Sequence, residues 1–197
     1  MFLLFFCLKK FFCLKKIATF AVVMWMMLRV IPIMWRAVRP SKIDDMPAVV
    51  NTFWLPKGYE GLTFFGHILA PTQALADRFN GSGDRALKNH EMIHLRQAQS
   101  CGDSWLRFYL LYIWYWLKNS VGTVLYELSS RLRKNRPYRV PRHAAYLLNP
   151  FEMEAYARMN DLDYLKGPAT EWRRFAKMSL RDRLALYQQG NVPITPQ

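Results

Sequence analysis

A chain of 197 residues carries one domain and an attachment, enough to bury a substantial core. Its 28 Lys and Arg against 14 Asp and Glu give a net charge of +14, which implies an anionic neighbour. Aromatics bracketed by Lys and Arg, with no nucleic-acid-binding motif, favour phospholipid over nucleic acid, and an odd count of cysteines (Cys7, Cys13, Cys101) without metal-type spacing implies no disulfide framework.

Residues 1–16 repeat Phe-Phe-Cys-Leu-Lys-Lys twice, a pattern suited to a basic amphipathic arm on anionic lipid. Residues 17–35 are the most apolar run and long enough to span the hydrocarbon layer, with Arg29 and Pro32 toward one end. A domain boundary is expected near residue 40, with a membrane or membrane-associated helix before it. Residues 40–60 read as a polar, Pro-containing connection. From 61 to 69 the β-branched and aromatic content predicts a short strand, in which His67 reads as an ordinary strand or core histidine.

The spacing next predicts a helix from Asp84, as N-cap, to a stop at Gly102. It contains Asn89-His90-Glu91-Met92-Ile93-His94-Leu95-Arg96-Gln97, a His-Glu-x-x-His pattern. Residues four apart lie one above the other on a helix, so His90 and His94 aim two imidazoles at one point. Two such nitrogens suit a tetrahedral Zn2+. Glu91, one position past the first ligand, is placed to act as general base on a water without being a ligand itself. The set requires a third ligand.

Residues 104–128 form a second apolar block, rich in Trp and Tyr, which fits either a helix half-sunk in a membrane interface or a core helix. A basic stretch follows, from Arg131 to Arg142. Asn149 as N-cap and Pro150 at the first helical position then start a helix carrying Glu152 and Glu154. Either glutamate could complete the ligand set, but not both, since two positions apart they point about 200° from each other. Residues 161–197 read as a linker, one amphipathic helix over 170–189 and a loose tail, without identifiable chemistry.

With these residues in view the chain resembles gluzincin-type zinc metallopeptidases, in which a His-Glu-x-x-His helix is completed by a glutamate on a later helix. The resemblance implies His90, His94 and Glu152 as zinc ligands, Glu91 as catalytic base, and a strand beside the active-site helix. It favours Glu152 over Glu154, which remains the competing choice. Tyr156 stands where that family usually has an aspartate supporting the first histidine. Residues 60–165 are also similar to small membrane-associated bacterial proteins with Asn-His-Glu-x-x-His-x-x-Gln and Phe-Glu-x-Glu-Ala-Tyr segments. The expected fold is mainly α, of α+β type, with residues 1–40 as arm and membrane helix, 41–165 as the metallopeptidase-like domain and 166–197 as a C-terminal helix and tail. The expected activity is hydrolysis of a peptide or protein substrate at an anionic membrane. Tyr156, His143 and His67 are the candidate donors to an oxyanion, and a non-catalytic domain with a structural or vestigial metal site is the alternative.

Overall fold

The computed structural model describes residues 39–51, 60–81, 83–132, 137–167 and 170–190. The basic repeat, the expected membrane helix at 17–35 and the end of the tail lie outside them. Chain contacts define two units, 1–37 and 38–197, and every described residue belongs to the second.

The described residues are mainly helical, with one small sheet. Strands β1 (Ala48–Val50), β2 (Leu62–Phe64) and β3 (His67–Ala70) are ordered β1-β3-β2. β1 runs parallel to β3 with Ala48 opposite Ile68, and β2 runs antiparallel with Thr63 opposite Ile68. Two sequence expectations change here. The connection at 40–60 contains β1 and a 3-10 turn, Pro40–Lys42. The single run at 61–69 is a hairpin that reverses at Phe65 and Gly66, with φ of 45° and 88°. Gly66 is required: a Cβ there would fall 2.5 Å from Ile43 Cδ1. Phe65 is held in its unusual conformation by its ring contacts with Trp105 and Tyr109 and by its N–H, which donates to the Tyr109 hydroxyl at 3.0 Å. The same hydroxyl donates to Thr63 O at 3.1 Å, so one side chain closes the outer edge of β2.

The helices are α1 (Gln73–Asn80), α2 (Arg85–Ser100), α3 (Trp105–Leu132), α4 (Ala144–Leu147), α5 (Pro150–Arg158), α6 (Trp172–Lys177) and α7 (Leu180–Gln188). Thr72 caps α1, and Asn80 at its end pairs with both backbone groups of Ala48, tying α1 to β1. Ile68, Phe79, Leu95, Phe108, Phe151 and Trp172 form the centre of the main core, joining sheet, α2, α3, α5 and α6. The expected single helix at 170–189 is two, because Ser179 turns extended and caps α7 by accepting the Asp182 N–H.

The aromatic block folds as one continuous helix, α3, about 42 Å long. Its buried positions, Trp105, Phe108, Asn119, Thr123 and Ser130, pack inward, while Leu110, Trp114, Val121, Leu125 and Leu128 are exposed. No helix among the described residues is long and apolar enough to cross a membrane.

Candidate metal centre

Local capping sets the two helices that carry the site. Asp84 accepts the Leu87 N–H at 3.0 Å and starts α2, and Gly102, with φ of 78°, turns the chain after its end. Asn149 accepts the Phe151 N–H at 3.2 Å and, with Pro150, starts α5. The two helices pack side by side, so His90 and His94 on α2 meet Glu152 on α5. His90 Nε2 lies 3.3 Å from Glu152 Oε2, and His94 Nε2 lies 3.5 Å from Glu152 Oε1. All three side chains are buried, and their ligand atoms lie within 4.8 Å of one another.

These distances test whether the group fits a metal ion. Donor atoms each about 2.0–2.1 Å from a tetrahedral ion stand about 3.3–3.4 Å apart. The two nitrogen–oxygen distances, each to a different oxygen of Glu152, are near that figure, and the ligand atoms as a set lie within 4.8 Å of one another. His90 Nδ1 is buried with no hydrogen-bond partner, while its Nε2, turned toward Glu152, is the nitrogen placed to bind an ion. The arrangement can hold a metal ion.

The supporting groups fix the ligands. Gln97 Nε2 donates to Phe151 O and to Glu154 Oε2, both at 2.9 Å, so its amide oxygen faces His94 Nδ1, 2.8 Å away. That oxygen can only accept, so His94 carries its proton on Nδ1 and turns the lone pair of Nε2 toward Glu152. Tyr112 donates its hydroxyl to Glu152 Oε1 at 2.7 Å. Asn89 donates to three carbonyls, of Arg158, Met159 and Asp161, at 3.0–3.2 Å, locking the start of α2 to the end of α5.

Burial opposes the charge on Glu152, but the two imidazoles and the Tyr112 hydroxyl outweigh it and hold the carboxyl at about 2. Burial likewise opposes protonation of His90, yet the hydrogen bond and charge of Glu152, with the charge of Glu91, raise its pKa.

Glu154, the competing candidate, faces away from the histidines. Its Oε1 accepts from the Tyr164 hydroxyl at 2.6 Å and the Glu171 N–H at 2.8 Å, and its Oε2 from Gln97 and from the Trp172 N–H at 2.8 Å. With four donors and no exposure it has no capacity left for an ion. Residues 161–197 therefore do contribute, through Tyr164, Glu171 and Trp172.

Glu91 is 5% exposed and accepts from Thr63 Oγ1 on β2 in a short hydrogen bond. Tyr156 packs its ring edge-on against His90, with centroids 4.5 Å apart, and shares a hydrogen bond with the Tyr146 hydroxyl at 3.3 Å. It does not replace the aspartate of the resemblance, since His90 Nδ1 has no hydrogen bond. His67 and His143 are exposed, at the start of β3 and before α4 respectively, outside the triad. Sequence reasoning assigned no role to Gln97, Asn89, Thr63 or Tyr112. The first two belong to the Asn-His-Glu-x-x-His-x-x-Gln segment, whose outer positions could have marked them. Thr63 and Tyr112 carry no such signal.

Comparison with family models, with curated proteins and with solved structures finds no match for this chain.

Proposed function

We propose that this protein is a zinc-dependent, membrane-associated peptidase that hydrolyses a peptide bond in a peptide or protein substrate. The observation that carries the reading is the buried convergence of His90, His94 and Glu152, with ligand atoms within 4.8 Å of one another, next in sequence to Glu91, which is not part of that group. A zinc ion, if held by these three side chains, would supply a Lewis acid and would bring the pKa of a water near 7. Glu91 then takes one proton from the attacking water as its oxygen bonds to the peptide carbonyl carbon. When the C–N bond breaks, Glu91 returns that proton to the departing amine. Thr63 holds the base in place through one carboxylate oxygen, leaving the other for the proton. Gln97 and Tyr112 hold His94 and Glu152 in register throughout.

The burial of all three ligands is shared by structural metal sites, and it favours a second reading in which the ion only braces α2 against α5. A structural site has four protein ligands as a rule and no use for a base. The test is elemental analysis of purified full-length protein with a peptide-library assay. About one zinc per chain, lost in His94→Ala and Glu152→Ala, is expected. Glu91→Gln should keep the zinc and lose about 10²–10⁴-fold in turnover. Zinc that stays bound with no turnover in the wild type on any peptide would establish the structural reading.

A further inference from the structure

The outward face of α3 is not explained by the metal centre. Eight large apolar side chains lie along it, Leu110, Trp114, Leu117, Val121, Val124, Leu125, Leu128 and Leu132, each between 44% and 77% exposed. From Leu110 to Leu132, a rise of about 33 Å, they stay within a stripe about 100° wide at the 3.6-residue period. The opposite face carries Tyr112, Asn119, Thr123, Tyr126 and Ser130, and it is this more polar face that packs on the domain. Exposed apolar residues gathered on one helix face in this way mark a surface for interaction with a partner or a membrane.

We infer that this stripe is the surface by which the domain lies on an anionic lipid bilayer, with α3 in the plane of the interface. Charge selects this occupant. Arg107 and Lys118 border the stripe on one side and Arg131, ion-paired with Glu127 at 3.9 Å, on the other, all exposed and basic in balance, where long side chains reach the headgroups while the leucines enter the acyl layer. A second copy fits poorly. A 3.5-residue seam through Leu110, Trp114, Leu117, Val121, Val124 and Leu128 meets Arg131 next and leaves Leu125 and Leu132 outside it. It would also bring together two chains that each carry +14. The helix does not cross the bilayer, because its inner face is committed to the domain. The sequence of residues 1–37 adds a separate basic, apolar segment.

The inference is independent of the peptidase reading and is tested without activity. The photoreactive amino acid p-benzoylphenylalanine is placed in the full chain at Val121, at Leu128 and, as control, at the exposed loop residue Asp163. Each protein is mixed with phosphatidylcholine vesicles with or without phosphatidylglycerol, irradiated and analysed by mass spectrometry. Lipid adducts at 121 and 128, about ten-fold above the control, are expected. Withdrawal of phosphatidylglycerol should lower them by about five-fold or more, the contribution of even one basic side chain. Lys118→Gln should lower the anionic-lipid signal in the same direction. Chain-to-chain adducts would overturn the inference in favour of a second copy. Adducts to peptides from 1–37 would overturn it in favour of the chain's own N-terminal segment, and the absence of lipid adducts would overturn it outright.

Discussion

Gln97 Oε1 stands 2.8 Å from His94 Nδ1, and because the amide nitrogen of Gln97 is engaged by two acceptors, the contact fixes which nitrogen of His94 is free to bind a metal. The same amide reaches Glu154, so the orientation of a ligand is coupled to the docking of α5 and α6. Replacing Gln97 by Leu should therefore weaken zinc binding by about 10–100-fold. It should also destabilise the fold by about 1–3 kcal/mol, from the acceptors left unpaired. Competition titration with a chelating dye and thermal unfolding separate the two effects. Unchanged affinity would remove Gln97 from the support of His94.

Glu152 and Glu154 should separate cleanly on substitution. Glu154→Gln places an amide NH2 among four donors and should lower stability by about 3 kcal/mol, with any retained folded protein still binding zinc. Glu152→Gln should lose the zinc and also lower the stability of the metal-free fold at neutral pH, because it removes the carboxylate that His90, His94 and Tyr112 hold charged. Calorimetry beside metal stoichiometry checks both. Zinc retained in Glu152→Gln and lost from folded Glu154→Gln would reverse the assignment.

Thr63 acts on Glu91 and on none of the metal ligands. Thr63→Val should keep the zinc content and KM while kcat falls by about ten-fold, and Thr63→Ser should restore most of the loss. A fall in zinc content, or no difference between Val and Ser, would place Thr63 in the fold alone.

The metal-free and zinc-loaded proteins should respond oppositely to pH. The folded His90 has a raised pKa, so its contribution to metal-free stability is complete below about 6.5 and is lost as pH rises through the raised value. The Glu152 carboxyl is held at about 2, so its contribution is present above its ordinary value and is lost as pH falls toward about 2. With chelator present, the stability owed to this pair is thus greatest in mild acid, between these ranges. Zinc requires neutral imidazoles, so the rise in Tm on loading should grow from pH 5 to pH 8, by about the proton competition at the histidines. Thermal scans with zinc or chelator across that range decide it. A loading effect that shrinks with pH would exclude His90 as a ligand.

Much of the centre was legible because its determinants are local. The i, i+4 histidines, the caps at Asp84 and Asn149 and the proline at 150 are patterns within one or two turns. The residue pattern alone left Glu152 and Glu154 open and only the resemblance favoured Glu152, because the engagement of Glu154 rests on the Tyr164 hydroxyl and the N–H groups of Glu171 and Trp172, which leave no periodic trace. β1 escaped detection since Ala48–Val50 is too short to show alternation. The hairpin escaped because a phenylalanine occupies a turn position usually held by Asn or Gly. In α3, apolar and aromatic residues lie on both faces, so the sequence alone did not say which one packs inward.

The four-donor pocket around Glu154 also sets a timetable for biosynthesis. His90 and His94 leave the ribosome 62 and 58 residues ahead of Glu152, and the four donors to Glu154 on the same helix are complete only when Trp172 has followed. A nascent chain stalled before that point has two histidines and no preorganised third ligand, so it should hold metal weakly and exchange it freely. Metal acquisition then belongs to the completed domain, and a truncation before Trp172 should yield protein that cannot be rescued by adding zinc.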